Sequence, residues 1–187
     1  MEFSLIAIAI VAVVALILVF GYNRLVRLRQ NVRQAFGDID VQIRARTDLI
    51  GNLVETVKGY ANHEKETLDA VMKARAAANG ATTPGAVAQA DGLMTAALGK
   101  LFAVAEAYPD LKANQNFLQL QSELSDIENK VAASRRFLNS AVAEYNGSIE
   151  VFPNVLFAAM FGFKPEVMFE LSDADRAAEV RAPAVKF

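Results

Sequence analysis

The stretch Phe117-Leu-Gln-Leu-Gln-Ser-Glu-Leu-Ser-Asp-Ile-Glu-Asn-Lys-Val-Ala-Ala-Ser-Arg-Arg-Phe-Leu-Asn-Ser-Ala-Val-Ala-Glu-Tyr145 decides how this chain folds. Within it Phe117, Leu120, Leu124, Ile127, Val131, Ser134, Leu138, Ala141 and Tyr145 recur at spacings that alternate three and four, with Ser134 as the one small polar member. That alternation keeps one face of an α-helix on a seven-residue repeat. A helix striped in this way is marginal alone in water and forms by burying its stripe against other helices. The rest of the chain must supply the partner faces.

Two such faces are present. Leu25, Leu28, Val32, Phe36, Ile39, Ile43, Ile50, Leu53, Val57, Tyr60, Leu68 and Val71 form a second seam at helical spacing. No proline interrupts residues 23–83, so the pattern allows one helix of about 55 residues, roughly 80 Å long. Its weak points are Gly51 and Gly59, and Asn62 ahead of His63-Glu64-Lys65-Glu66 is a candidate cap for a second piece, so a bend is expected within 51–62. Asn79-Gly80-Ala81-Thr82-Thr83-Pro84-Gly85 is a clear break, with Gly80 suited to a helix end and Thr83-Pro84 reading as N-cap and first-turn proline. A helix from Pro84 to about Ala107 follows, carrying Val87, Ala90, Met94, Ala97, Leu101 and Val104 on one face until Tyr108-Pro109-Asp110 ends it. The expected fold is all-α: an antiparallel up-and-down bundle of long amphipathic helices.

Phe3 to Tyr22 is apolar but for Ser4. At about 1.5 Å per residue the run is roughly 30 Å long, the thickness of a bilayer's hydrocarbon core. A signal peptide would show a basic leader, a shorter apolar stretch and a small-residue cleavage site. Here only Met1 and Glu2 precede the run, and it passes directly into the bundle seam, so an uncleaved transmembrane helix is expected. Arg24, Arg27, Arg29 and Arg33 follow it with no acid before Asp38. By the positive-inside rule the N-terminus is outside and the bundle cytoplasmic, with these arginines at the membrane interface. The domain reading is an anchor over residues 1–23, a helical bundle over 24–170, and a tail over 171–187 that is mobile or weakly helical.

From Phe152 to Phe163 the chain is again apolar, but too short to span a bilayer. If three helices leave, return and leave again, this stretch lies away from the bilayer. There Phe152, Leu156, Phe157, Met160, Phe161 and Phe163 would cap the bundle or contact another subunit. A sharp reversal near Gly51–Asn62 would invert that placement.

Composition excludes most chemistry. The chain has no cysteine and one histidine, His63, which removes thiolate nucleophiles, thiolate metal sites and the paired glutamate–histidine motifs of di-iron bundles. No phosphate loop or dinucleotide fingerprint is present. With 19 basic against 21 acidic residues, no global field points to nucleic acid. No enzyme and no cofactor is expected. The charges that stand out are those at or beside seam positions: Arg46, Glu64, Arg75, Glu106 and Arg136. A buried charge needs a partner, so these are the candidates for a polar layer that sets helix register or, alternatively, lines a ligand pocket.

The chain resembles the bacterial LemA family from Tyr22 to about Phe169. The matching stretches are Tyr22–Arg29, Ile39–Ile50, Asn52–Tyr60, His63-Glu64, Phe102–Asn114, Arg135-Arg136-Phe137, Asn139, Tyr145-Asn146, Phe152-Pro153 and Phe161-Gly-Phe163. The resemblance implies a single-pass bacterial membrane protein with one N-terminal transmembrane helix and a helical bundle. It implies no catalytic residues and, by analogy, a role in membrane organisation. Gly51 stands where the family usually has proline, Gly99-Lys100 replaces serine-arginine and Leu138 replaces tyrosine. The functional expectation is a membrane-anchored scaffold that self-associates and contacts lipid. The alternative is a ligand-sensing or adaptor module with an unidentified protein partner.

Overall fold

The computed structural model describes residues 2–169; the tail read at 171–187 lies outside them. All regular structure among the described residues is helical: α1 (Glu2–Lys58), α2 (Lys65–Gly80), α3 (Pro84–Ala105), a one-turn α4 (Pro109–Lys112), α5 (Gln115–Glu150) and a 3-10 turn at Asn154–Leu156. The chain divides into two compact units. One is formed by Met1–Gly37 and Arg136–Met168, and the other holds Asp38–Arg135.

In the second unit α1 stops at Lys58, within the stretch 51–62 where a bend is expected, and the break is a full reversal. Gly59 opens a turn in which the amides of Tyr60 and Ala61 both bond the Val57 carbonyl, and Glu64 N–H bonds the Ala61 carbonyl. The chain reverses there and α2 returns along α1. Its register is fixed by Arg75, whose Nε donates to the Thr47 carbonyl at 2.8 Å, and by Thr47 Oγ1 against Asn79 Oδ1 at 3.2 Å. Gly51 permits the close approach, since a Cβ there would stand 3.0 Å from Arg75 Nη2. Asn62 does not cap α2; Glu64 holds that position without a side-chain bond. At α3 the chain does what its sequence predicts, with Pro84 in the first turn and Thr83 accepting from the Ala86 amide. Asn114 starts α5 by accepting from Phe117 N–H at 3.0 Å while donating to the Tyr60 hydroxyl at 2.9 Å.

Among the described residues the bundle therefore has four long helices, α1, α2, α3 and α5, where the sequence reading counts three. Each reversal inverts chain direction, so α5 runs antiparallel to α1. The deep core follows the heptad: Phe117, Leu124 and Val131 on α5 are buried, as are Ile43, Ile50, Leu53 and Val57 on α1 and Met94 and Leu101 on α3.

In the first unit, α1 up to Phe20 is exposed along its length, and from Leu25 its stripe of Leu25, Leu28, Val32 and Ala35 is buried, as are Leu138, Val142, Tyr145 and Ile149 of α5. After Glu150 the chain hooks back through a cis Phe152-Pro153 bond. Asn154 Nδ2 donates to the Ser148 carbonyl at 2.8 Å. Asn146 then exchanges two bonds with the Glu166 backbone, at 2.8 and 2.9 Å. Gly162 (φ 74°) turns the chain so that Phe163 drops into the unit. Tyr22 packs edge-on against Phe161 and Phe163 at 5.3 and 5.5 Å, and the Arg29 guanidinium lies 4.9 Å from the Phe163 ring centre.

The hook thus sits beside Gly21 and Tyr22, at the end of the apolar run. The sequence reading placed it away from the bilayer, and the reversal after Lys58 is the reason for the difference.

Gly21 tests this docking. A Cβ at residue 21 would stand 2.8 Å from both Asn154 Oδ1 and Phe157 Cζ, whereas one at Gly37 meets nothing within 4 Å. Gly21→Leu is expected to cost about 1–3 kcal/mol by overpacking and to speed proteolysis within 152–163 of the chain in nanodiscs. Gly37→Ala should leave both unchanged or slightly improve stability. Equal behaviour of the two variants would count against the docked hook.

Candidate functional site: a closed polar layer

Arg46 lies on the core face of α1 three residues after Ile43 and is 2% exposed, and Asp91 on α3 is 3% exposed. Arg46 Nη1 donates to Asp91 Oδ1 at 2.7 Å, and Nη2 donates to Glu128 Oε1 at 3.0 Å and Thr95 Oγ1 at 3.2 Å. The Thr95 hydroxyl in turn donates a hydrogen bond to the Asp91 backbone carbonyl at 3.0 Å, one turn back. The second Asp91 oxygen faces Arg135 Nη1 of α5 at 3.4 Å. Two cations and two anions thus share one layer, and its formal charge closes to zero. Glu128 is half exposed, so its share is screened by water. The buried Arg46–Asp91 contact is charge-assisted and short, and it is where desolvation makes a lost partner costly. Arg46 Nε is buried and makes no bond.

The other sequence candidates fall elsewhere. Arg75 is half-buried and ties α2 to the Thr47 carbonyl. Glu64 accepts from the Tyr108 hydroxyl at 3.2 Å; burial, and then this bond, raise the Tyr108 phenol above its ordinary value. Glu106 and Arg136 are exposed and are not part of any buried layer. Glu106 is the residue just past α3 and pairs with Lys112 at 2.6 Å. On α5 it is Arg135, not Arg136, that turns toward Asp91.

The sequence reading missed Asp91, Thr95, Glu128 and Arg135. Asp91 had a readable signal: it is the one carboxylate in α3, set between Ala90 and Gly92 on a helix otherwise almost uncharged.

The hook residues divide. Phe157 and Phe163 are buried, while Phe152, Leu156, Met160 and Phe161 are exposed. Of the four basic residues, Arg24, Arg27 and Arg33 are exposed and Arg29 is turned onto Phe163. Beside them Tyr145 is fully buried, and burial pushes its phenol upward against the opposing pull of Arg29.

Two shallow grooves open on the second unit, of about 400 Å³ beside Leu49 and Ile127 and about 330 Å³ beside Ala74 and Ala97. Neither is lined by Arg46 or Asp91. Among the described residues no group of three metal-ligating side chains is present. The arrangement can lock helix register; it presents no nucleophile with a base.

Among the described residues these features define an all-α bundle protein carrying one helix long and apolar enough to cross a membrane. A family model described as LemA matches residues 35–187, and the chain belongs to the LemA family. It is 27% identical to magnetosome protein MamQ of Magnetospirillum gryphiswaldense over 188 residues, covering 86% of this chain and 69% of that protein. Protein LemA of Metamycoplasma hominis is 26% identical, covering 82% of this chain and 71% of that one. None of these relatives bears an enzyme's name.

Arg46→Met leaves Asp91 with its nearer cation removed and is expected to cost about 3–5 kcal/mol, the usual penalty for stranding a buried charge. Thermal unfolding of the detergent-solubilised chain measures it. A melt unchanged within error would remove the layer from the account of stability.

Proposed function

We propose that this chain is a membrane-anchored, non-enzymatic structural protein that self-associates at the membrane and helps organise it, with its bundle on the cytoplasmic side. The observation that carries the reading is the polar layer at Arg46: its two cations and two anions pair with one another, so they serve architecture. A ligand-sensing pocket would want that same cluster to be open.

The anchor is the other support. The exposed apolar run of α1 has the length and composition of a membrane span. Arg24, Arg27 and Arg33, exposed just past it, favour the cytoplasmic side by charge bias. Confinement to two dimensions raises the local concentration of chains, which lets weak lateral contacts count. Leu93 and Leu118, each about half exposed on the second unit, offer apolar contact of that kind. The role in membrane organisation is drawn by analogy from relatives named as magnetosome proteins.

Light-scattering mass of the chain in mild detergent, with subunit counting in nanodiscs, tests self-association. A discrete oligomer at micromolar protein is the expected result. A clean monomer in both would overturn the scaffold reading while leaving the anchor untouched.

A further inference from the structure

No charged side chain occurs from Val151 to Phe163, yet the fold uses only part of this apolar surface. Phe157 and Phe163 are 4% and 3% exposed, whereas Phe152, Leu156 and Met160 are 76%, 67% and 79% exposed, and Val155 and Phe161 are about half exposed. Five large apolar side chains on one short segment are far more than scattered surface leucines require, and such a patch marks an interaction surface.

The position of the patch selects its occupant. Phe157 lies against Gly21 and Phe161 against Tyr22, so the segment stands at the depth where the apolar run of α1 ends. Val19 and Phe20, immediately before, are themselves exposed. The patch is therefore continuous with the anchor's own apolar surface, and a bilayer spanned by that run reaches it without any second protein. Its edges suit the interfacial layer: Tyr22, Arg24 and Lys164 are exposed beside it, residue types that place polar tips among headgroups.

The backbone fits the same place. Irregular chain at the edge of lipid must satisfy its own amides. Most of the segment's amides do so: Val155, Leu156, Phe157, Ala158, Phe161, Gly162 and Phe163 donate to carbonyls within the segment 151–159, and Pro153 has no N–H to satisfy. Asn154, the one polar side chain between Phe152 and Phe163, is buried on the Ser148 carbonyl.

We propose that residues 152–161 are an interfacial wedge: the face carrying Phe152, Val155, Leu156, Met160 and Phe161 sits in the lipid leaflet where the anchor ends, giving the chain a second, non-spanning membrane contact. The proposal rests on the anchored reading. It adds that the first unit is held to the membrane at two points, so rotation about the anchor is restricted.

The chain contains no tryptophan, so a single introduced indole reports its own surroundings. L156W and M160W replace exposed side chains and leave Phe157 and Phe163 in place. V41W, at a 61% exposed position of α1, is the water-facing control. In vesicles of phospholipids brominated near the carbonyl end of the acyl chains, both hook variants should emit at shorter wavelength and be quenched several-fold more than V41W. Emission at the wavelength of V41W without quenching overturns the wedge. A short-wavelength emission that bromine does not quench, and that changes with the protein-to-lipid ratio, means a second copy covers the patch and also overturns it. Alkaline carbonate extraction separates the two readings. A chain that leaves the membrane sinks anchor and wedge together; a chain that stays but is unquenched sinks the wedge alone.

Discussion

Arg46 donates to α3 and α5 from the last third of α1, and that geometry constrains the second unit more tightly than any apolar contact can. Apolar side chains tolerate sliding by a turn at modest cost, because one leucine covers another much as the next would. A buried guanidinium does not. Its two Nη groups reach Asp91, Thr95 and Glu128 at 2.7 to 3.2 Å, and a slip of one turn in either direction would leave Arg46 and Asp91 buried and apart. Desolvating such ions costs several kcal/mol each, so the wrong registers are penalised more strongly than the right one is favoured. Arg135 extends the constraint by facing the free oxygen of the same carboxylate.

The first unit is organised by different means. Its polar contacts are mostly side-chain amides closing loops: Asn146 on the Glu166 backbone and Asn154 on the Ser148 carbonyl. These amides tether a short chain that has no regular structure beyond one 3-10 turn, and aromatic edges from Tyr22, Phe161 and Phe163 with the Arg29 guanidinium complete the seat. Many of the residues that carry the LemA resemblance gather here: Tyr22, Arg29, Tyr145, Asn146, Phe152-Pro153 and Phe161-Gly-Phe163. The family pattern in this region is a recipe for a hook rather than for a catalytic site.

The helical seams were legible in the sequence because burial repeats with the helix. Phe117, Leu124, Val131, Leu138 and Tyr145, seven apart, are the deeply buried members of the α5 seam, while Leu120, Ile127, Ser134 and Ala141 between them are only half-buried. The reversal after Lys58 was visible only as a weak point. Apolar spacing continues through Tyr60 to Leu68, and what decides the turn is the burial of α2 against α1, which no local residue announces. That single turn moved Phe152–Phe163 from the far end of the expected bundle to the end of the anchor. Among the polar residues, spacing identified Arg46 but not its partner, since Asp91 sits beside the apolar stripe of α3 rather than interrupting it. Glu106 and Arg136 lie beside seam positions rather than on them. Glu106 falls one residue past the end of its helix, and at Arg136 the neighbouring Arg135 takes the inward direction, neither of which a count of three and four can distinguish.

The central claim is that Arg46 and Asp91 act as one unit, and a double-mutant cycle measures that coupling directly. Asp91→Leu, Arg46→Met and the two together would be compared by unfolding in detergent. The account predicts that the double variant is less destabilised than the sum of the singles by about 2–3 kcal/mol, because neither charge is then left alone. Additivity within about 0.5 kcal/mol would contradict it.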